Sequence, residues 1–283
     1  MHVFLDDHVA PRRRVGRPPE LTDAELLCLA VAQVLLGFPS ARHWIRFAHA
    51  RLGHLFRYLP QQSAYDKRLN AAGPLISHVI EALARQVPTW NDNLRLIDST
   101  PLPCAASRET VKRSKLAGHA GYGYCRSCSR FFWGLRLYLV TTAEGMPVSW
   151  CLANPKLGER KVMTALLERD HHLIRADQVI LADKGFAGRK FEAFCAERLG
   201  IHLVRPDRKD EPIRHGRLAR VRQWIESVFD TLEGRLSLER HGGRTPAGVF
   251  ARTGQRLLAL AAGIRHNWTT GIRIKKSLIA CDH

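Results

Sequence analysis

Gln178-Val179-Ile180-Leu181-Ala182-Asp183 decides the fold class, because it is an apolar run too short for a helix, centred on β-branched residues and closed by a carboxylate. Helical spacing flanks it on both sides. Residues 160–173 precede it, residues 189–199 follow it, and 201–204 form a further short apolar run. Strands that alternate with helices pair in parallel through right-handed crossovers, which puts helices on the faces of a sheet. Upstream, Leu94-Arg95-Leu96-Ile97-Asp98 is another apolar run ending in an acid. Residues 131–142 are β-rich, and Gly145 turns them into a hairpin partner over 146–152. The order β-β-β-α-β-α-β predicts an α/β domain with a mixed sheet and flanking helices.

Asp98 and Asp183 each close an apolar run, the place where α/β sheets expose functional side chains. If their strands are neighbours, the two carboxylates lie about 5 Å apart and can share a divalent cation. Alternatively each caps the turn after its strand, since Ser99-Thr100-Pro101 and Lys184-Gly185 are both good turn sequences. A third acid comes from a helix. Over 218–236 the residues Val221, Ile225, Val228, Leu232 and Leu236 recur at helical spacing, and Arg222, Glu226 and Glu233 flank that stripe. Glu226 is either an i,i+4 partner of Arg222 or a third ligand. Glu159, at the start of the helix before the 178–183 strand, is either a fourth acid or a helix N-terminal residue.

The 283 residues are 45% hydrophobic, a globular composition, and 44 Lys and Arg against 26 Asp and Glu leave a net charge of +18 that attracts polyanions. Residues 1–92 hold 11 basic and 8 acidic residues, so most of the excess lies later. Residues 95–136 hold 8 basic against 2 acidic, and 235–276 hold 9 against 1. DNA backbone is the natural partner of such surfaces. The organisation expected is a basic extended arm over 1–20, a helical and possible helix-turn-helix domain over 21–92, a catalytic domain over 93–270 and a basic tail over 271–283. Thr22 and Glu25 form a capping box, and Ser40 and Ser63 are further cap candidates. Arg12, Arg13, Arg14 and Arg17 sit among prolines that extend the chain, which suits a minor-groove arm or a solvated tail. Residues 26–38 are the longest apolar run, well short of the roughly 20 needed to span a bilayer. With no leader pattern at the start and seven scattered cysteines, reduced thiols and a cytoplasmic location are expected, with no membrane partner. Cys125 and Cys128 are half of a zinc site without the other half. Trp133, Trp150 and Trp224 are expected in the core.

Taken in order, several stretches resemble the insertion-sequence 982 family of DDE transposases. They are Gly16-Arg17-Pro18, 21–25, Leu96-Ile97-Asp98-Ser99-Thr100-Pro101, 121–125, Phe131-Phe132-Trp133-Gly134-Leu135, 145–148, Leu181-Ala182-Asp183-Lys184-Gly185-Phe186 and 222–229. The resemblance implies a ribonuclease-H-like catalytic domain in which Asp98, Asp183 and Glu226 bind two Mg²⁺ ions, with Mn²⁺ an acceptable substitute. It implies two-metal phosphoryl transfer that first cuts transposon ends and then joins the freed 3′-hydroxyl to target DNA. Terminal inverted repeats and target DNA are the implied partners, with a homodimer in the active complex. Arg12, Arg13, Arg14, Arg17, Lys67, Arg68, Arg108, Lys112, Arg113, Lys115, Lys184 and Arg222 are the candidate DNA contacts. Two alternatives stand beside it: a nuclease of the same fold without strand joining, and a non-catalytic DNA-binding regulator.

Overall fold

A computed structural model of the protein describes residues 4–5, 19–125, 129–206 and 218–278, apart from the side chains at 184 and 219–222. The chain divides into two compact units, one of Ala84–Thr231 and one that combines Met1–Leu83 with Leu232–His283. This differs from the linear division expected at residues 20, 92 and 270, because the C-terminal residues rejoin the N-terminal helices.

The composite unit holds helices α1 (Asp23–Leu35), α2 (Ala41–Arg51), α3 (Gln62–Ala71) and α4 (Gly73–Arg85, whose last residues pass into the other unit), and it ends with the long helix Pro246–Thr269. The expected capping box opens α1: Thr22 Oγ accepts from Glu25 N at 3.1 Å, and Glu25 Oε2 accepts from Thr22 N at 2.6 Å. Ser40 caps α2 as expected. Ser63 does not cap α3, which starts earlier, after Gln61, with no side-chain cap bond.

The helix Pro246–Thr269 was hidden from pattern reading, since Arg252, Gln255 and Arg256 occupy buried positions in it. Each has found a polar partner, as buried polar groups must. Gln255 Nε2 donates to Ala30 O (2.8 Å) and Gln33 Oε1 (3.0 Å), and Gln33 Oε1 also accepts from Tyr65 Oη at 2.7 Å. Arg252 pairs with Asp66. Burial pulls the Arg256 guanidinium down to about 10.

The unit Ala84–Thr231 is built on one six-stranded sheet of β1 (Leu94–Ala105), β2 (Gly121–Cys125), β3 (Arg130–Thr142), β4 (Pro147–Ala153), β5 (Val179–Leu181) and β6 (His202–Val204). β3 runs antiparallel to β1, and its far edge is shared by β2 along 130–134 and β4 along 136–142. β5 and β6 continue the sheet in parallel on the other side of β1. Four strands in antiparallel pairings followed by two parallel ones, with helices in the later connections, is a mixed sheet of the ribonuclease-H-like kind expected. The helices are α5 (Arg108–Lys112), α6 (Glu159–Arg169), α7 (Arg189–Ala193, running on into a wider turn Phe194–Arg198) and α8 (Ala219–Asp230). Ile97, Tyr138, Val140, Met163, Leu166, Ile180 and Phe191 form one buried cluster between sheet and helices. Each such side chain contributes roughly 1.5–3 kcal/mol by leaving water.

β1 runs seven residues beyond Asp98, where the sequence suggested it stops. Its ladder with β5 covers only Leu94 to Leu96, so the rest of β1 has β3 as partner on one side and no strand on the other. Pro101 and Pro103 are tolerated there because no second ladder needs their missing N–H. β2, over 121–125, is a strand that the order read from the sequence did not include. β5 is shorter than the 178–183 run. Trp133 and Trp150 are buried, but Trp224 is 40% exposed and does not belong to the core. Cys28, Cys104, Cys151 and Cys195 are free thiols, whereas Cys125 is in a disulfide, against the expectation of reduced thiols throughout. The zinc question at Cys128 and the arm residues Arg12, Arg13, Arg14 and Arg17 lie outside the described residues. Among those described, no helix is long and apolar enough to cross a membrane.

Asp170 closes α6 and ties it to β4. Burial opposes its ionisation, but hydrogen bonds from Arg169 and Ser149 outweigh that and hold the carboxyl below the usual carboxylate range. A depressed folded-state pKa stabilises the protein above the unfolded carboxylate value, and the contribution disappears as pH falls through the folded value. Asp170→Asn is therefore expected to lower stability by about 1–3 kcal/mol at pH 7. Urea midpoints should show this gap closing as pH falls below the ordinary carboxylate range.

Candidate active site

The β1–β5 ladder pairs Leu94 with Val179, Arg95 with Ile180 and Leu96 with Leu181. Asp98 and Asp183 each lie two residues beyond the last pair of this ladder, Asp98 still within β1 and Asp183 past the end of β5. Here the two strands part: β1 continues, while the chain after Asp183 folds into a tight turn over Lys184–Phe186 that is closed by Phe186 N donating to Asp183 O at 3.0 Å. Both acids are half-buried. Asp98 Oδ1 accepts from Ser99 N at 2.7 Å, which anchors one oxygen of the carboxylate.

Glu226 lies on α8, which packs against β1 and buries Ile225, Val228 and Phe229. Its side chain is exposed, beside that buried stripe. Among the described residues, no three His, Cys, Asp or Glu side chains are close enough together to hold an ion. The described residues therefore give one acid on β1, one two residues past β5 and a third on α8, not a preassembled cage. Like charges brought close together repel until a cation screens them. As oxygen donors, the three acids suit a hard divalent ion such as Mg²⁺ or Mn²⁺.

Glu159, the first residue of α6, joins the strand ends. It accepts from Ser99 Oγ at 3.4 Å and forms an ion pair with Arg136 of β3, whose Nη1 also donates to Ser99 Oγ at 3.2 Å. A Cβ on Gly185 would lie 2.6 Å from Glu159 Oε2, so the turn after Asp183 closes directly over this carboxylate. Burial, and after it the Glu159 charge, pushes the Tyr138 hydroxyl up to about 12. Glu159 thus touches the neighbours of both aspartates. Arg136 and Ser99 escaped the sequence reading, although Arg136 is the only charged residue in the 131–142 run and so a visible anomaly there.

The other candidate DNA contacts are scattered. Arg108, Lys112, Arg113 and Lys115 are exposed on and just after α5, and Lys112 has a surface ion pair with Glu109 at 3.0 Å. Lys184 begins the turn after Asp183, and Arg222 lies one helical turn before Glu226; the side chains of both fall outside the described residues. Lys67 is exposed in the composite unit. Arg68 is not available to a ligand in the same way: it donates to Leu21 O at 2.6 Å and pairs with Asp23 at 2.8 Å, bracing the start of α1.

The family model for the transposase DDE domain matches residues 89–262, more than half of the chain and every strand described above. The protein belongs to this family: it is a DDE transposase, an enzyme that cuts DNA and transfers the cut strand. No curated protein matches it. Among solved structures it is similar to a piggyBac transposase synaptic complex with hairpin DNA seen by cryo-EM, at 10% identity over 98% of this chain and 74% of that one, with a TM-score of 0.49. That likeness is too weak to place any residue. Enzymes of the DDE family use divalent metal ions.

Proposed function

We propose that this transposase belongs to the insertion-sequence 982 group and that Asp98, Asp183 and Glu226 are its metal-binding acids. The register of β1 against β5, whose last pair Leu96–Leu181 stands two residues before both Asp98 and Asp183, carries this reading. Two Mg²⁺ ions, or Mn²⁺ in their place, would supply Lewis-acid stabilisation of charge at the phosphorus being attacked. The chain's own contribution is to position the acids: Asp98 from β1, Asp183 from the segment just past β5, and Glu226 from the exposed edge of α8. Lys184, next to Asp183, and Arg222, four residues before Glu226, are the DNA contacts this reading assigns nearest the acids in the chain. The DNA partners are the terminal inverted repeats and then target DNA, and cutting both ends in one complex favours a homodimer.

The testing reaction is purified protein with Mg²⁺, a labelled duplex ending in the element's terminal repeat, and a plasmid target. The expected result is a nick exposing the 3′-hydroxyl end, followed by joining of that end to the plasmid. Cutting without joining would instead favour the nuclease, and binding without cutting the regulator.

Glu159 is assigned a positioning role through Ser99, Arg136 and the turn at Gly185. Residues that orient metal-binding groups cost about 10–100-fold when changed. Glu159→Gln should lower the cutting rate by that factor while the KM for the duplex stays near the wild-type value; an equal rise in KM would point to DNA binding instead.

A further inference from the structure

Beside α6 and α7 lies a cavity of about 580 Å³ whose wall includes Arg160, Lys161, Thr164, Arg189, Lys190 and Phe194. Four of these are cations, and no acid lines the cavity. Arg160 is fixed: its Nη1 donates to Ala187 O at 2.8 Å and lies 2.2 Å from where a Gly188 Cβ would be, so only glycine leaves it that place. Lys161, Arg189 and Lys190 are exposed, and among the described residues none has an ion-pair or hydrogen-bond partner. Four like charges facing one opening repel one another unless an anion joins them, so the arrangement weakens the free protein and favours a polyanion.

The position matters as much as the charge. Arg160 follows Glu159 directly, and Gly188 is five residues from Asp183, at most about 18 Å along even an extended chain. That is the rise of roughly five base pairs at 3.4 Å each. We propose that Arg160, Lys161, Arg189 and Lys190 hold backbone phosphates of the DNA next to the bond being cut. This rests on the transposase reading and deepens it. The site lies outside both basic stretches that stand out in the sequence, because its four cations come from two segments nearly thirty residues apart that carry acids of their own.

The experiment compares wild type, the double variant Lys161→Glu/Lys190→Glu, and Arg198→Glu, an exposed cation outside the cavity. Anisotropy of a labelled terminal-repeat duplex is followed between roughly 50 and 200 mM salt, where phosphate contacts dominate affinity. The double variant should bind at least about 30-fold more weakly and flatten the log–log salt slope by about 2, at roughly 0.9 per lost contact. Arg198→Glu should change the slope by less than about half a contact. If the double variant melts early, Lys161→Gln/Lys190→Gln reads the same slope. Wild-type affinity and slope in a folded double variant, or a loss per charge no greater than that of Arg198→Glu, would overturn the proposal. Wild-type cutting and joining are assayed in parallel. If these succeed while the cavity variants behave as wild type, only the phosphate site fails; if wild type neither cuts nor joins, the transposase reading fails on its own.

Discussion

Asp98→Asn, Asp183→Asn and Glu226→Gln, made singly, are each expected to slow strand cutting by on the order of 10³-fold or more, the usual cost of deleting one preorganised charge at a reacting centre. DNA binding should change little. Each substitution keeps the shape of the side chain and removes only its negative charge, so packing of the sheet and of α8 is preserved and the loss falls on chemistry. For the aspartates the case rests on the parallel ladder that ends two residues before each of them. For Glu226 it rests on α8 packing against β1 with this side chain beside the buried stripe. Nicking of a labelled duplex, with anisotropy as the binding control, separates the two quantities. Undiminished cutting by any one variant removes that residue from the machinery, and equal loss of binding would mean that it holds DNA instead.

Gly134→Ala is the substitution expected to damage the fold most. Gly134 lies where β3 presses on both β1 and β2, opposite Pro103 and Gly121. A Cβ there would stand 2.1 Å from Leu102 O and 2.9 Å from Cys104 N. Both are backbone atoms, so no rotamer change relieves the clash and the strands themselves must separate beside the irregularity between Pro103 and Ala105. Overpacking of this kind costs about 1–3 kcal/mol when side chains can yield, and more when they cannot, so a loss of 3 kcal/mol or more is expected. Gly234→Ala is the control, because open space surrounds that position. Its urea midpoint should hold or rise slightly, as a helical glycine replaced by alanine does by about 0.5–1 kcal/mol. Similar midpoints for the two variants would show that β3 does not pack on β1 as described.

What the sequence reveals and what it hides follow from the range of the forces involved. The capping box at Thr22 and Glu25, the 146–152 hairpin partner and the helices before and after β5 are local, and their residues announce them. The continuation of β1 through Pro101 and Pro103 is not local: prolines argue against a central strand, and only the early end of the β5 ladder makes room for them. The helix Pro246–Thr269 was missed because its buried face carries Arg252, Gln255 and Arg256, whose partners Gln33 and Asp66 lie far away in the chain. At the site, each acid could be singled out by its place in a run or stripe, but their convergence could be inferred only through resemblance to a family. Glu159 had an adequate local explanation as a helix-start acid, which concealed its ties to Ser99 and Arg136. The four cations of the phosphate cavity likewise make a pattern only in three dimensions.

Binding of Mn²⁺ to the protein–DNA complex, followed by electron paramagnetic resonance in wild type and in Asp183→Asn, bears most directly on whether these acids form a metal centre. Wild type should take up the ion at a saturable site that the variant has lost, with the DNA still bound in both. Equal uptake by the two proteins would mean that Asp183 holds no metal, and the paired carboxylates at the parting of β1 and β5 would then need another explanation.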